Sequence, residues 1–371
     1  MSGLYIHIPF CSYKCTYCNF FSVVHYNDKD VYKLYLDSLL NEYNIRIKDY
    51  NNSIDTIYIG GGTPSIIGSS LMEYLFNGLE KIINLNSLKE ITIEFNINEI
   101  NNDTIKVLEA INNIRLSIGL QTFNEKSLSI INRHTDINDI IKALETVQKS
   151  KLENISVDFI SALPLNSINT TKEDILLAYK LLPKMKHISL YDLELTDALI
   201  KRWNEYLPTI EDSVIYYDIA SATIEELGFN RYEISNYAIL GFESIHNSNY
   251  WDLKEYIGIG VSACGFYNNV RYENIRVIND YTNSIKENNL AIKYSETLDE
   301  TMLKKEFIFL ALRTIRGLDL IKYTNMFNSN FLEDYSTILK NYEYYFSISK
   351  SFISIKKEYL HYVDEISLLF F

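Results

Sequence analysis

The sequence lacks any apolar run long enough to cross a membrane, because Lys and Asn interrupt every candidate segment. It also lacks an excess of basic residues: 35 Lys and Arg stand against 48 Asp and Glu, a formal net charge of -13. This acidic balance disfavours nucleic-acid binding as the main function, although it is compatible with a local basic groove. We therefore expect no nucleic-acid partner.

The N-terminus lacks the basic region and apolar segment of a secretory signal peptide, since Met1, Ser2 and Gly3 lead directly into a short predicted strand. We expect a cytoplasmic protein, because reducing conditions suit free thiols. A peripheral association with membranes would leave no sign in this sequence.

Cysteine is scarce, and three of the four cysteines lie within eight residues, in the C-x3-C-x2-C spacing of Cys11, Cys15 and Cys18. An odd number of clustered cysteines argues against disulfides. Zinc sites usually add a second cysteine pair or histidines downstream, and no second pair is present. The fourth cysteine, Cys264, is far away and alone, and we interpret it as a small buried residue.

Three thiolates on a loop after a strand can hold one inorganic centre. A 4Fe-4S cluster normally takes four thiolates, so three would leave one iron without a protein ligand. An open coordination position is what a metal centre needs in order to bind a reacting molecule. A chance grouping or a degenerate zinc site is the alternative.

Strand-like and helix-like segments alternate through the first half of the chain. The predicted strands cover residues 4–10, 54–59, 90–95, 114–119, 155–160 and 187–193, and predicted helices cover 30–48, 71–83, 103–110, 137–149 and 171–182. Such alternation predicts an α/β fold with a parallel sheet and outer helices. Eight units would need more chain than residues 1–195 supply, so we predict a partial (β/α)6 TIM-like barrel.

The alternation weakens beyond residue 200. Residues 237–267 are rich in Gly, Asn and aromatics and predict ordered loop and turn, whereas helices and short alternating segments after residue 298 predict a small α+β domain, helical or winged-helix-like. We predict a barrel over residues 1–235, an extension over 236–290 and a C-terminal domain over 291–371.

Polar residues follow the predicted strands one unit after another. They are the cysteine loop, Gly60–Thr63, Glu94, Gln121 and Asp158. Because parallel strands carry their sites at their carboxyl ends, all of these can face one mouth. Each alone is explained by a tight turn or a helix cap, but their joint placement favours a functional site.

Several longer motifs carry a resemblance to a known family. They are Tyr5-Ile-His-Ile-Pro-Phe-Cys11, Gly60-Gly-Gly-Thr-Pro-Ser65, Ser117-Ile-Gly-Leu-Gln-Thr-Phe123, Tyr232-Glu-Ile-Ser-Asn236, His246-Asn-Ser-Asn-Tyr-Trp251 and Tyr256-Ile-Gly-Ile-Gly260. With these motifs and the cysteine loop, the chain resembles radical S-adenosylmethionine proteins of the coproporphyrinogen III oxidase-like group. Within that group it is most similar to the haem chaperone branch, HemW.

The resemblance implies a 4Fe-4S cluster held by the three cysteines, with S-adenosylmethionine on the fourth iron. It implies that Tyr5, Tyr17, Gly61 and Glu94 line the first S-adenosylmethionine site, with Tyr17 near the adenine. Electron transfer from the cluster would split the sulfonium and release an adenosyl radical, which is chemistry of the cofactor.

In the oxidase relatives a second molecule is bound, and the positions that contact it are matched here by Gly62, Thr63, Gln121, Arg133 and Asp158. The chain departs from the family near these positions. It has Asn96-Ile97 in place of Asn-Pro, Arg133-His134-Thr135 in place of Arg-x-His, and Ala162-Leu-Pro-Leu165 in place of Gly-Leu-Pro-Gly. The side chains of Ala162 and Leu165 would crowd a ligand at that backbone.

Two residues, Phe20 and His246, help to distinguish the oxidase branch of the family from the haem chaperone branch. The oxidase has a further cysteine two residues after the third cluster cysteine, and this chain has Phe20 there. His246 is a candidate haem contact, with Tyr250 and Trp251 beside the macrocycle. The alternative is a histidine that is hydrogen-bonded within a turn. Arg231 and Arg271 are candidates for the haem propionates.

These residues predict a haem chaperone that delivers haem to respiratory proteins, with an electron donor such as flavodoxin or ferredoxin. An oxygen-independent coproporphyrinogen III oxidase is the second hypothesis, so the resemblance leaves open whether the protein is an enzyme. A protein that uses its cluster only for electron transfer or structure is the third.

Overall fold

The computed structural model describes residues 2–24, 28–50 and 53–371. These residues form seventeen strands: β1 (Ser2–Ile8), β2 (Phe10–Cys11), β3 (Val23–Val24), β4 (Ile54–Gly61), β5 (Glu90–Asn96), β6 (Ile114–Gln121), β7 (Asn154–Ser161), β8 (His187–Asp192), β9 (Asn230–Arg231), β10 (Asn236–Ala238), β11 (Tyr256–Ile259), β12 (Cys264–Tyr267), β13 (Val270–Asn274), β14 (Ile292–Thr297), β15 (Leu318–Asp319), β16 (Phe346–Ile348) and β17 (Phe352–Ile355).

Fifteen α-helices occur in the same ranges: α1 (Lys29–Arg46), α2 (Gly68–Glu80), α3 (Asn102–Glu109), α4 (Glu125–Ile130), α5 (Ile137–Lys149), α6 (Thr170–Leu181), α7 (Asp197–Trp203), α8 (Ile210–Glu226), α9 (Ile245–Trp251), α10 (Ile278–Lys286), α11 (Glu300–Leu312), α12 (Leu320–Phe327), α13 (Phe331–Asp334), α14 (Ser336–Asn341) and α15 (Val363–Leu368). Short 3₁₀-helices are formed by Ile47–Asp49, Pro64–Ile67, Leu85–Ser87, Ile97–Glu99, Glu343–Tyr345 and Lys357–Tyr362.

Short polar side chains cap several of the helices that follow the barrel strands. Asp28 accepts hydrogen bonds from the first turn of α1, Asn101 forms a capping box at α3, and Asp136 caps α5. Such side chains satisfy backbone N–H groups that have no partner inside the helix. The helix starts are therefore encoded locally.

The main sheet has twelve strands in the order β14-β13-β12-β11-β1-β4-β5-β6-β7-β8-β10-β9. The six central strands, from β1 to β8 in that order, are all parallel. Each is followed by at least one helix before the next strand of the row. The predicted partial (β/α)6 barrel is thereby confirmed.

The two faces of β1 show how the barrel is filled. Leu4, Ile6 and Ile8 are fully buried in the core that the strands share with the outer helices. The alternate side chains, Tyr5 and His7, point the other way, because strand residues alternate between faces. The interior face thus carries polar and aromatic groups instead of aliphatic ones.

Residues 237–267 are not the loop and turn that the sequence predicted, because they contribute β10, α9, β11 and β12. Strand β11 pairs in parallel with β1, and β12, β13 and β14 continue the sheet antiparallel. The prediction was wrong because these short strands obtain their stability from partners far away in sequence. The domain boundaries near residues 235 and 290 remain predictions.

The C-terminal part has a core of its own, formed chiefly by residues from 298 onward. Helices α11 to α15 surround a small antiparallel sheet in the order β15-β17-β16. This matches the small α+β domain expected from the sequence. Among the described residues, no helix is both long and apolar enough to span a bilayer.

Candidate functional site

The cysteine loop lies at the carboxyl end of β1. Backbone hydrogen bonds tie it to the barrel, from Thr16 N to Ile131 O at 3.0 Å, and Asn132 Nδ2 donates to Lys14 O at 2.8 Å. Lys14 Nζ closes the loop by donating to Phe20 O at 2.6 Å. These contacts fix the loop against the barrel.

The three thiols suit a cluster better than a single metal ion. All are free, and burial raises the pKa of the Cys11 and Cys15 thiols. Among the described residues, no three His, Cys, Asp or Glu side chains are grouped so that they could hold one ion. In a cubane each thiolate binds a different iron, so the sulfurs need not meet at one point. This donor set fits the predicted 4Fe-4S cluster with ligands Cys11, Cys15 and Cys18.

The glycine run at the end of β4 packs against the backbone that leads into this loop. Gly62 N donates to Ile8 O, and Thr63 N donates to Phe10 O, both at 2.8 Å. Gly61 has φ +120, and a Cβ there would lie 2.7 Å from Cε1 of His7. The space beside Gly61 is thus filled by protein, so packing by itself requires this glycine. Thr63 also reaches the cluster loop, since its Oγ1 lies 3.4 Å from Cys11 Sγ.

Glu94 on β5 lies in the barrel interior, where its Oε1 accepts from Tyr58 OH at 2.7 Å and its Oε2 from Gly61 N at 3.2 Å. Burial raises the pKa of Glu94 to about 7, although the hydrogen bond from Tyr58 lowers it. Tyr5 on the neighbouring strand lies with its ring centroid 6.2 Å from that of Tyr58. Three of the predicted first-site residues, Tyr5, Gly61 and Glu94, are therefore neighbours. Tyr58, which links them, was missed because a strand tyrosine alone gives no functional signal.

Arg133, Gln121 and Tyr17 form a second group on the opposite side of the loop. Arg133 is buried, donates to Asn96 Oδ1 at 2.8 Å and to Gly119 O, and interacts with Cys15 and Tyr17. Arg133 Nε and Gln121 Oε1 are buried and lack a hydrogen-bond partner among the described residues. Orphaned buried polar atoms are uncommon in proteins. Here they leave a donor and an acceptor for a polar ligand.

Asp158 on β7 lies among hydroxyl groups, and accepts weakly from Ser117 Oγ at 3.3 Å and Ser156 Oγ at 3.4 Å. Burial raises the pKa of Asp158. Close by in sequence, Ala162 and Leu165 have φ +57 and +66. Both adopt the left-handed backbone that favours glycine, the residue of the family pattern at these positions, at a cost of roughly 1–2 kcal/mol each.

His246 lies at the opposite end of the barrel from the cysteine loop. Its Nδ1 is 2.9 Å from Thr56 Oγ1, its Nε2 is 2.8 Å from Tyr250 OH, and its ring packs at 5.3 Å from Tyr58. Thr56 pairs with Gly3 near the amino ends of their strands, about 16 Å along β1 from the loop at 3.3 Å per residue. Burial lowers the pKa of His246 to about 3.

Both ring nitrogens of His246 are thus occupied in this structure, and neither is exposed to a ligand. The histidine is hydrogen-bonded, as the alternative interpretation had it, but its partners come from β4 and α9 instead of one turn. Trp251 faces the C-terminal domain, with the Arg313 guanidinium 5.9 Å from its ring.

Cys264 is exposed, so the prediction of a small buried residue was wrong. It lies on β12 opposite Glu273 of β13 and lines a cavity. Its sequence context carries no sign of this exposure, because Cys264 stands between two small residues, Ala263 and Gly265, which are both buried.

The fold and the cysteine loop define a class of protein. Residues 5–178 match the model of the Radical SAM superfamily. The structure matches that of coproporphyrinogen III oxidase (HemN) from Escherichia coli, a radical SAM enzyme, with a TM-score of 0.84 and 19% identity over 99% of this chain and 89% of that one. This likeness concerns the fold.

Curated relatives narrow the assignment. The chain is 34% identical to the heme chaperone HemW of Lactococcus lactis, over 89% of this chain and 86% of that protein. It is 28% identical to heme chaperone HemW of Bacillus subtilis, over 92% and 91%, and 31% identical to that of Escherichia coli, over 74% and 72%. The chain belongs to the heme chaperone HemW family of radical SAM proteins.

Proposed function

We propose that the protein is a haem chaperone, which binds haem and delivers it to haem-requiring respiratory proteins. The similarity over nearly the whole chain to proteins named heme chaperone HemW carries this proposal. Phe20 supports it, because the oxidase pattern would have a cysteine at that position. In the structure Phe20 is 70% exposed beside the loop.

The superfamily implies a 4Fe-4S cluster and S-adenosylmethionine. Cys11, Cys15 and Cys18 would hold the cluster, which when bound supplies one-electron reduction of the sulfonium. The free thiols at the mouth of the barrel support this assignment.

Residues on two sides of the loop would bind S-adenosylmethionine. Glu94 would accept from the amino or ribose hydroxyl groups once ionised, since a carboxylate is a strong acceptor. Tyr5 would contact the bound molecule from β1 and Gly61 from the end of β4, while Tyr17 would stack near the adenine.

A second molecule would contact Gly62, Thr63, Gln121, Arg133 and Asp158. The unpartnered Arg133 Nε and Gln121 Oε1 support a polar ligand on this side.

His246 would influence haem binding from the base of the barrel through Tyr250, to which it is hydrogen-bonded. A direct haem contact, as the motif predicts, would require both of its present hydrogen bonds to break. A ferredoxin or flavodoxin would supply the electron, and respiratory haem proteins would be the acceptors.

Haem titration of the anaerobically reconstituted protein tests the proposal. We expect saturable binding of about one haem per chain, followed by transfer to an apo-haem protein such as apomyoglobin. An anaerobic assay with S-adenosylmethionine, reductant and coproporphyrinogen III tests the oxidase alternative. If the protein binds no haem and converts coproporphyrinogen III to protoporphyrinogen, the chaperone function is wrong and the oxidase function takes its place.

A further inference from the structure

A cavity of about 490 Å³ opens beside the cysteine loop, and we refer to it as the lateral cavity. It lies between the segment that follows the loop and strands β11 and β12, and its wall includes Lys14, Phe20, Tyr250, Tyr256, Cys264 and Arg276. Its volume falls within the range of about 300–1,000 Å³ of small-molecule sites. Of the nine predicted cofactor-binding residues, only Tyr5 lines it, so it is largely separate from that site.

Three aromatic side chains line the lateral cavity. Phe20 comes from the segment after the loop, Tyr250 from α9 and Tyr256 from β11, and the ring centroids of the two tyrosines lie 4.7 Å apart in a T-shaped pair. The exposed ring of Phe20 leaves apolar surface in contact with solvent. Aromatic faces of this kind suit a flat, largely apolar ligand.

Two cations lie in the same wall. Lys14 Nζ donates to Phe20 O and to Ser22 Oγ, and these two bonds use two of its three hydrogens. Arg276 donates through Nε to Glu273 Oε1 at 2.7 Å, while its side chain is 55% exposed. The barrel interior, by contrast, carries the carboxyl groups of Glu94 and Asp158. A ligand with two carboxylates would therefore direct them toward Lys14 and Arg276.

The wall offers few groups for a metal at the centre of such a ligand. His7 is occupied at both nitrogens, by Tyr5 OH and by Phe21 O, each at 2.9 Å. Cys264 is a free, exposed cysteine, and its sulfur could bind a metal. Thiolate is an established axial ligand of haem iron.

We propose that the lateral cavity is the haem site, with the macrocycle between Phe20 and the Tyr250–Tyr256 pair, the propionates at Lys14 and Arg276, and Cys264 Sγ as an axial ligand. The inference rests on the proposed function, since it assumes that haem is the cargo. Arg231 and Arg271 then have other roles, because Arg231 donates to Ile234 O and Arg271 pairs with Glu306.

The experiment compares Cys264→Ser with the wild type in the cluster-reconstituted protein, so that iron occupies the cluster cysteines. Ferric haem is titrated, and its axial ligand is read from the absorption and electron paramagnetic resonance spectra. We expect a thiolate signature in the wild type that is lost in Cys264→Ser, with affinity weakened about tenfold or more. Unchanged iron content and melting temperature confirm that the variant is folded.

The proposed contact between a propionate and Arg276 can be tested against a matched control variant. Arg276 and Lys293 both pair with Glu273, but only Arg276 lines the cavity. Arg276→Gln should weaken haem binding about tenfold, while Lys293→Gln should leave it unchanged. If the wild type binds no haem, the proposed function fails. If the wild type binds haem and both Cys264→Ser and Arg276→Gln match it in spectrum and affinity, the lateral cavity is excluded and the chaperone function stands.

Discussion

Paired substitutions of His246 separate a haem ligand from a structural support. Alanine removes both hydrogen bonds of the ring, whereas glutamine places its amide near the Nε2 position and can keep the bond to Tyr250 OH. In either variant the hydroxyl of Thr56, which is fully buried, loses its partner. Tyr250 is half-buried beside the lateral cavity, so water can replace the histidine there.

The size of the effect follows from these contacts. A buried hydroxyl without a hydrogen-bond partner, as at Thr56, costs about 1–3 kcal/mol. The loss of a hydrogen bond to a solvent-accessible group, as at Tyr250, costs about 1 kcal/mol. The void left by the ring adds about 1–2 kcal/mol. We therefore expect His246→Ala to lower the free energy of unfolding by about 3–6 kcal/mol and His246→Gln by about 1–3 kcal/mol. In urea the midpoint should fall by about 1–3 M for alanine at an m-value of about 2–3 kcal/mol per M.

The acid dependence gives an independent check. Burial lowers the pKa of His246 from 6.5 to about 3, so the unfolded chain binds a proton that the folded one excludes. The stability that this neutral histidine supports is complete above pH 6.5 and is lost as pH falls toward 3. Between pH 7.5 and pH 5 the wild type should lose about 2 kcal/mol more than His246→Gln, which cannot titrate.

Haem titration of the same two variants completes the test. A supporting role predicts that His246→Gln keeps the haem spectrum and an affinity within about threefold of the wild type, whereas His246→Ala weakens it. If His246 were the iron ligand, both variants would lose the spectrum equally. Equal unfolding midpoints for the wild type and His246→Ala would refute the structural reasoning.

Three further substitutions test the site and its frame. Gly61→Ala forces a Cβ toward His7 at a positive φ and should destabilise the protein by about 2–4 kcal/mol in urea unfolding. Glu94→Gln should weaken S-adenosylmethionine binding about tenfold in calorimetry. Wild-type affinity should fall below pH 7, where the raised pKa leaves Glu94 protonated, and the variant should show no such fall. Glu42→Gln leaves the half-buried Arg46 guanidinium, 2.7 Å away, without its carboxylate and should cost about 3–5 kcal/mol.

The two stability substitutions, Gly61→Ala and Glu42→Gln, each have a control variant. Gly68 also has a positive φ but has open space at its Cβ position, so Gly68→Ala should cost less than Gly61→Ala. Glu145 forms an exposed pair with Lys149, so Glu145→Gln should change stability by less than about 1 kcal/mol. Equal costs within either pair, or an S-adenosylmethionine affinity in Glu94→Gln that still falls below pH 7, would contradict the interpretation.

The strands from β1 to β8 could be predicted because their pattern is local. Each of the six central strands is a short apolar run bounded by turn residues and followed by a helix, and three of these helices, α1, α3 and α5, begin at a capping side chain. The strands β11 to β14 could not, because they are short and depend on pairing with β1 across about 250 residues of chain, a separation set by the register of Tyr5 with Gly258.

The features of the candidate site also separate into those that the sequence determines and those that only the tertiary structure decides. By its own spacing the sequence determined the three-cysteine loop and its place after β1, and by motif it determined the family. Only the tertiary structure decided that His246 bonds Thr56, 190 residues away, that Tyr58 joins Glu94, and that Cys264 is exposed in a cavity. The physical reason is that the metal-binding cysteines of the loop are brought together by their spacing along the chain. The partners and exposure of a buried or edge side chain are set by which strands lie beside it, and that is a property of the whole sheet.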